Sequence, residues 1–395
     1  MNPNLDILWP YPFFRLKKLL HGIKPAAKAH ISLAIGEPKN PTPDFIQEEL
    51  INNISETSAY PATQGIPKLR QAIADWLISR FKIPASALAV DKNILPVNGT
   101  REALFALAQA AIDKNAKNPL VILPNPFYQI YEGATLLAGA TPKFINLVPD
   151  NNFKADFSNI EKAEWDECQL LYICSPNNPT GSVLELGVLQ KLIALSLKHN
   201  FIIAADECYS EIYPDEDNPP PGLLQAAIKM GHRDFKNCVV FHSLSKRSNC
   251  PGLRSGFIAG DAKILEKFLL YRTYHGCAMP LHHQHASAAA WADEAHVEEN
   301  RHQYREKFTA VLEILQNQLD IGAPDAGFYL WVKVAGSDTE FARKLYAEEN
   351  LSVLPGSFLA RETNGYNPGN KYIRIALVPT LEECIEAARR ISNIL

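Results

Sequence analysis

Apolar and polar positions along the middle of the chain alternate between two periods. Ile66–Arg80 (IPKLRQAIADWLISR) carries apolar residues three and four apart, which predicts a helix. Its Pro67 suits a first turn, where no hydrogen-bond donor is lost. Asn98-Gly99-Thr100 precedes a second helical pattern over Arg101–Asp113 (REALFALAQAAID). Beyond it, Leu120–Leu123, Gln169–Cys174, Phe201–Ala205 and Cys238–His242 are short apolar runs that predict buried strands. Gln129–Ala138 and Val183–His199 predict helices between them. Short apolar strands separated by amphipathic helices imply βαβ units and a mostly parallel sheet covered on both faces. Ligands of such sheets bind at the carboxyl ends of the strands, so chemistry is expected in the residues just after each strand.

The pattern changes towards both ends. Residues 1–45 are rich in proline, and PYPF and GEPKNPTP cannot be helix interiors. Arg15–Leu20 predicts a short amphipathic helix. After about residue 285, His285–Leu319 predicts one or two long helices. Phe328–Val334 and Tyr372–Leu377 then predict strands, and Thr339–Glu349 and Leu381–Ile394 predict helices. That mixture points to a second, α+β domain.

Composition narrows the function classes. With 39 Lys and Arg against 43 Asp and Glu, the net charge is -4. No global basic field is present, so nucleic acid is not the expected partner and any anion must be held by a few placed cations. No apolar run reaches the ~20 residues of a membrane-crossing helix, so no membrane association is expected. The N-terminus lacks a basic stretch followed by an apolar one, so no signal peptide is expected. Seven scattered cysteines with no C-x-x-C predict reduced thiols and a cytoplasmic location. His275, His282, His283 and His285 match no zinc spacing, so no metal is expected, and Cys208 is read as a packing residue.

The residues that follow the predicted strands form a set. They are Asn98-Gly99-Thr100-Arg101, Pro124-Asn125-Pro126-Phe127-Tyr128, Ser175-Pro176-Asn177-Asn178-Pro179-Thr180-Gly181, Asp206-Glu207-Cys208-Tyr209 and Ser243-Leu244-Ser245-Lys246, with Arg254 eight residues on. A helix N-terminus, an aromatic, an amide, a carboxylate with a phenol, and a lysine with hydroxyls and an arginine suit a flat, anionic, electrophilic cofactor. The five motifs, in this order, resemble those of the class I aminotransferases of the aspartate aminotransferase fold, which use pyridoxal 5′-phosphate. The resemblance runs from about Ile31 to the C-terminus. It implies an α/β fold of transferase type I, with a mostly parallel central sheet sandwiched by helices. The large cofactor domain is expected over residues 45–285, and the smaller α+β domain over 1–44 with 286–395.

The resemblance also implies roles. Lys246 bonds covalently to the cofactor and then moves the substrate α-proton; a lysine among other cations has a depressed pKa. Asp206 pairs with the ring nitrogen and keeps it protonated. Tyr209 and Asn178 hydrogen-bond the ring oxygen. Gly99, Thr100 and Arg101 offer a helix N-terminus to the phosphate, and Ser243, Ser245 and Arg254 complete the cup. Tyr128 stacks on the ring. Tyr60 reaches the phosphate of a neighbouring subunit, which implies a homodimer. Arg374, in Tyr372-Ile373-Arg374-Ile375-Ala376, grips the substrate α-carboxylate, with Gly36 and Asn178 beside it. On the residues alone, Asp206 also suits a helix N-cap, Asn178 a turn, Tyr128 a core aromatic and Arg374 a structural ion pair.

Over nearly the whole chain, the N-terminal block MNPNLDILWPYPFFRL together with PVNGTREALF, PNPFYQIYEGA and SLSKRSN is most similar to the bacterial N-succinyldiaminopimelate aminotransferases. That likeness implies small-molecule amino-acid and keto-acid substrates: glutamate and N-succinyl-2-amino-6-oxopimelate, in lysine and diaminopimelate biosynthesis. The extra carboxylates of the second substrate call for cations at the entrance, with Arg15, Lys17, Arg247 and Arg272 as candidates. Another aminotransferase specificity (aspartate, aromatic or methionine), a related lyase and a ligand-sensing domain of a transcription regulator are the other readings. The regulator is disfavoured, because no room for a DNA-binding domain is expected before residue 31.

Overall fold

The computed structural model describes residues 1–395. Its strands are β1 (Ile31–Ser32), β2 (Ile94–Val97), β3 (Leu120–Asn125), β4 (Thr141–Asn146), β5 (Cys168–Cys174), β6 (Ile202–Asp206), β7 (Cys238–Ser243), β8 (Gly256–Gly260), β9 (Tyr329–Lys333), β10 (Leu351–Ser352), β11 (Leu354–Pro355) and β12 (Tyr372–Ala376). Seven of them form the central sheet in the order β2-β8-β7-β6-β5-β3-β4. Only β8 runs against its neighbours. Successive side chains of the inner strands feed opposite faces, as a period of two requires. Ile122, Leu171, Ile203 and Val240 join one core cluster, while Val121, Leu170, Ala204 and Val239 join the other.

The four apolar runs read as strands are strands; three are longer by one or two residues at an end, and β6 is shifted by one residue from the expected Phe201–Ala205. Three strands of the sheet lie outside the sequence reading. β2 carries Pro96 and β4 carries Pro142, and both are edge strands, the position where proline is tolerated in a sheet. β8, Gly-Phe-Ile-Ala-Gly, begins and ends in glycine, which masked its apolar centre. The helix expected from Val183 begins at Leu186. Its first residues are extended because Val183 N donates to Asp325 Oδ2 (3.0 Å) and Leu184 N to Ser175 Oγ (2.9 Å).

The smaller body is built from both ends of the chain. β1 pairs with β10, and β11-β12-β9 form an antiparallel sheet. Their core joins Ile31 and Leu33 to Leu330, Ile373, Ile375 and Ile391. The Leu281–Ala292 helix packs on the Asp44–Asn52 and Pro67–Phe81 helices, and its Ala286, Ala288, Ala290 and Trp291 belong to the large core. The boundary expected at 285 therefore falls inside a helix that the large body owns. No helix is long and apolar enough to cross a membrane.

One buried ion pair ties the two bodies together. Arg361 grips Glu132 in a fork (2.7 and 2.5 Å), its backbone N–H donates to Asn125 Oδ1 (2.9 Å), and its guanidinium lies 4.5 Å from the Trp9 ring centroid. Both side chains are buried. Glu132→Ala leaves the guanidinium buried without its anion, so we expect a loss of about 3–5 kcal/mol in chemical unfolding. A change below about 1 kcal/mol would show that the pair is solvated in solution.

Candidate active site

The carboxyl ends of β5, β6 and β7 lie level in the sheet, with Cys174 opposite Asp206 and Asp206 opposite Phe241. The segments that leave these ends therefore converge. Together with the N-terminus of the Thr100–Ala111 helix and residues of the smaller body, they enclose a cavity of about 600 Å³. Four cationic side chains line it (Arg101, Lys246, Arg254 and Arg374), against two carboxylates, Glu37 and Asp206.

Asp206 is the last residue of β6 and is buried. Burial raises its carboxyl pKa; hydrogen bonds from Cys208 and Tyr131 and the nearby charge of His242 oppose the rise. Tyr131 OH donates to Oδ2 at 2.6 Å and Cys208 N–H to Oδ1 at 3.3 Å. No helix starts there, so the carboxylate is not an N-cap.

Lys246 sits on the single helical turn Leu244–Arg247 that follows β7. Its Nζ donates to the carbonyl of Gly36 and lies 5.4 Å from the Phe328 ring centroid. Burial, with Arg374 and Arg254 nearby, lowers its pKa to about 8, against opposing pulls from Cys208 and Glu37. Gly36 has no space for a side chain: a Cβ there would overlap the Tyr329 hydroxyl.

The anion cup is built around a glycine turn. Gly99 has φ +85° and precedes the twelve-residue Thr100–Ala111 helix. A Cβ on it would overlap Arg254 Nη2, so only glycine lets the guanidinium close over this helix end. Thr100, Ser243, Ser245 and Arg254 line the same end of the cavity, and Ser243 caps its own turn by accepting from Ser245 N–H (3.1 Å).

Arg374, on β12, is buried. Its Nη1 donates to Asn178 Oδ1 (2.9 Å) and its Nη2 to Ala34 O (2.7 Å), while Nε has no partner. No carboxylate of the protein pairs with it, so the structural ion pair is not realised. A buried guanidinium with a free N–H, facing a cavity, suits a carboxylate ligand. Tyr209 OH and Tyr329 OH are 2.9 Å apart, and burial pushes the Tyr209 phenol well up.

The sequence reading brought together Gly36, Thr100, Arg101, Tyr128, Asn178, Asp206, Tyr209, Ser243, Ser245, Lys246, Arg254 and Arg374, which all line the cavity. Gly99 shapes the turn behind the wall. Tyr60 is fully exposed and outside this cavity. The entrance cations need correction. Arg247 is buried, donating to Ala290 O (2.6 Å) and Asp293 O (3.0 Å) and pairing with Glu294. Arg272 is buried too, donating to Pro96 O (2.6 Å) and Cys277 O (3.0 Å). Both are internal fasteners: Arg247 meets carbonyls at the C-terminal end of the Leu281–Ala292 helix, and Arg272 joins a carbonyl of edge strand β2 to one just past the Ala262–His275 helix. Lys17 is exposed, and Arg15 rests 4.0 Å from the Phe358 ring centroid; neither lines the cavity. The cation at the mouth is Arg101, whose Nε donates to Tyr128 OH (2.6 Å). Tyr131 and Tyr329 escaped the sequence reading. Tyr131, one helical turn after Tyr128, could have been found from that spacing; Tyr329 lies in an ordinary strand pattern. All seven cysteines are free thiols.

A cationic cavity at the strand ends, with a lysine of lowered pKa opposite a buried carboxylate, defines a cofactor enzyme that handles small anionic substrates. The sequence profile described as "Aminotransferase class I and II" matches residues 28–391, and the chain belongs to that family. Its cofactor is pyridoxal 5′-phosphate, which draws electrons from the substrate α-carbon when bound. The chain is 49% identical to an aminotransferase structure from Neisseria meningitidis, with a TM-score of 0.94 and full coverage of both chains. It is 32% identical to the LL-diaminopimelate aminotransferase of Maridesulfovibrio salexigens, over 99% of this chain and 98% of that protein. It is 25% identical to a probable N-succinyldiaminopimelate aminotransferase structure from Thermus thermophilus, with a TM-score of 0.84, over 97% of this chain and 100% of that one.

The donor set fits the cofactor: hydroxyls, a helix end and Arg254 for a phosphate, and a carboxylate for a ring nitrogen. Only the neutral amine of Lys246 can attack a carbonyl. Capture of pyridoxal 5′-phosphate by the apoprotein, followed by absorbance, should therefore speed up as pH rises and level off above a midpoint near about 8. A capture rate that keeps rising to about pH 10, as for an ordinary lysine, would contradict a lowered lysine pKa.

Proposed function

We propose that this enzyme transfers an amino group between L-glutamate and N-succinyl-2-amino-6-oxopimelate, forming N-succinyl-LL-2,6-diaminopimelate by a ping-pong route in lysine and diaminopimelate biosynthesis. The division of cations in the cavity carries the reading. Lys246 and Arg254 serve the cofactor, and the free Nε of Arg374 suits the α-carboxylate. Arg101 remains at the mouth for a distal carboxylate. Tyr11, Pro12, Phe13, Ile35 and Leu359 line the same cavity and offer apolar surface to a long methylene chain.

In this reading the side chains divide the work. Arg374, with Asn178 and the Gly36 backbone, orients the substrate so that its α-hydrogen faces Lys246. Lys246 Nζ would take that proton and hold it for return, a general acid–base role that its lowered pKa suits. Asp206, supported by Tyr131, holds a proton on the cofactor ring nitrogen, while Tyr209 and Asn178 bond the ring oxygen and Tyr128 covers a ring face. Thr100, Ser243, Ser245 and Arg254, with the Gly99 turn, fix the phosphate.

The likeness to the Thermus thermophilus protein supports the succinylated substrate. A second reading, LL-diaminopimelate without the acyl group, draws on the curated relatives of that name at 30–32% identity. Glu37, a carboxylate in the same cavity, would suit the extra ammonium of that substrate. A coupled assay separates the two. Turnover of glutamate with N-succinyl-2-amino-6-oxopimelate supports the first; turnover of LL-diaminopimelate with 2-oxoglutarate and none with the succinylated keto acid supports the second. Arg101→Met should raise the KM for the long dicarboxylate by about tenfold to a hundredfold, the value of one charge-assisted hydrogen bond. An unchanged KM removes Arg101 from the mouth's chemistry.

We also propose a homodimer in which Tyr60 completes the neighbour's phosphate site. The full exposure of Tyr60, with Ile51, Ile54 and Tyr274 also exposed, supports it. Light scattering should give twice the 44.0 kDa chain mass, and Tyr60→Phe should release the cofactor more readily on dialysis than the native dimer does. A monomer, or unaltered retention in the variant, overturns the arrangement.

A further inference from the structure

Three metal-ligating side chains converge outside the cofactor cavity. His275 ends the Ala262–His275 helix, Cys277 follows two residues later, and Glu102 lies on the first turn of the Thr100–Ala111 helix. One ligand atom from each (an imidazole nitrogen, the thiol sulfur and a carboxylate oxygen) lies within 4.8 Å of the others. The carboxylate is short of partners. Glu102 Oε1 is buried and accepts no hydrogen bond, while Oε2 forms an ion pair with the buried guanidinium of Arg272 at 3.5 Å. Arg272 does not depend on that contact, since the carbonyls of Pro96 and Cys277 hold it.

A nitrogen, a sulfur and an oxygen donor match the borderline preferences of zinc, which takes such sets in tetrahedral geometry. We propose that Glu102, His275 and Cys277 bind one zinc ion per chain, with water in the fourth position. Tetrahedral bonds of about 2.0–2.3 Å put ligand atoms roughly 3.5 Å apart, so the set must draw in by about 1 Å. The loop between the ligands permits this: Gly276 has φ +82°, and nothing lies within 4 Å of where its Cβ would be. In the single chain His275 is exposed and Cys277 half-buried.

Charge and protons balance. The Cys277 thiol releases one proton to solvent on binding; thiolate and carboxylate offset the two charges of the ion, and the Arg272 guanidinium, held by the Pro96 and Cys277 carbonyls, stays as the one remaining cation. Because binding releases a proton, affinity rises with pH. The ion fastens the end of one helix to the first turn of another, next to the Gly99-Thr100 turn that shapes the anion cup. It acts as a clip on that turn and takes no part in the proton transfer at Lys246.

The test uses tag-free holoenzyme and cobalt(II) as the probe. One equivalent should give the strong d–d bands of a tetrahedral ion, to the red of the cofactor's absorption, and zinc should bleach them. Cys277→Ser and His275→Gln should each weaken binding by at least about tenfold, and the unchanged cofactor absorption of each variant shows that it is folded. His302→Gln, at an exposed histidine elsewhere, should bind cobalt as the native chain does. Zinc should also raise the melting temperature of the native holoenzyme but not of Cys277→Ser. A six-coordinate cobalt spectrum in the native chain, or equal affinity in the native chain and Cys277→Ser, overturns the site.

Discussion

A buried guanidinium without an anion of its own is the constraint on which the rest of this active site turns. Arg374 is carried on β12 of the smaller body and reaches Asn178, which follows β5 of the large one, while its other terminal nitrogen binds the carbonyl of Ala34. Charge in such a place is costly unless hydrogen bonds and a counter-ion meet it. The protein supplies hydrogen bonds, and in the proposed reading the substrate carboxylate supplies the counter-ion. Three segments far apart in sequence must hold their places for that arrangement to exist. In that reading, binding a carboxylate relieves an electrostatic deficit and strengthens the joint between the two bodies in one event.

The same economy governs the proton chemistry. An overall charge of -4 hides a cavity where four cations face two carboxylates. Burial above all, with Arg374 and Arg254 nearby, depresses the lysine, so a neutral amine is available near neutral pH without a neighbouring histidine. Asp206 has the opposite problem, a carboxylate in a dry place, and Tyr131 and the Cys208 amide hold its charge. Each group is tuned by what surrounds it more than by its own chemical nature.

The sequence made the sheet's centre and about half of the cavity wall legible, all four of its cations included, because chemistry in parallel sheets gathers where strands end. Asn178, Asp206, Tyr209 and Lys246 could be placed from motif and strand alone. What escaped lacked a periodic signature. β2 and β4 are edge strands interrupted by proline, and β8 begins and ends in glycine. The entrance cations failed for a different reason. Arg247 and Arg272 look like solvated charges in sequence, yet each is an internal fastener for main-chain carbonyls. Long-range carbonyl partners leave no local pattern, so sequence cannot separate a fastener from a ligand-reading arginine. Tyr329 was invisible for the same reason, since its partner Tyr209 lies 120 residues away.

The entrance to the cavity is built from a part of the chain that takes no other part in the chemistry. Tyr11, Pro12 and Phe13 line the mouth from the start of the Pro12–Leu20 helix, which packs through Leu16 on Ala34, Leu354 and Phe358. This helix contributes no strand to either sheet and no group to the anion cup. Changes there can reshape what enters without disturbing how a proton is moved. Substrate preference in such a scaffold can drift over evolutionary time by replacing a short terminal segment, with the costly electrostatic interior inherited intact.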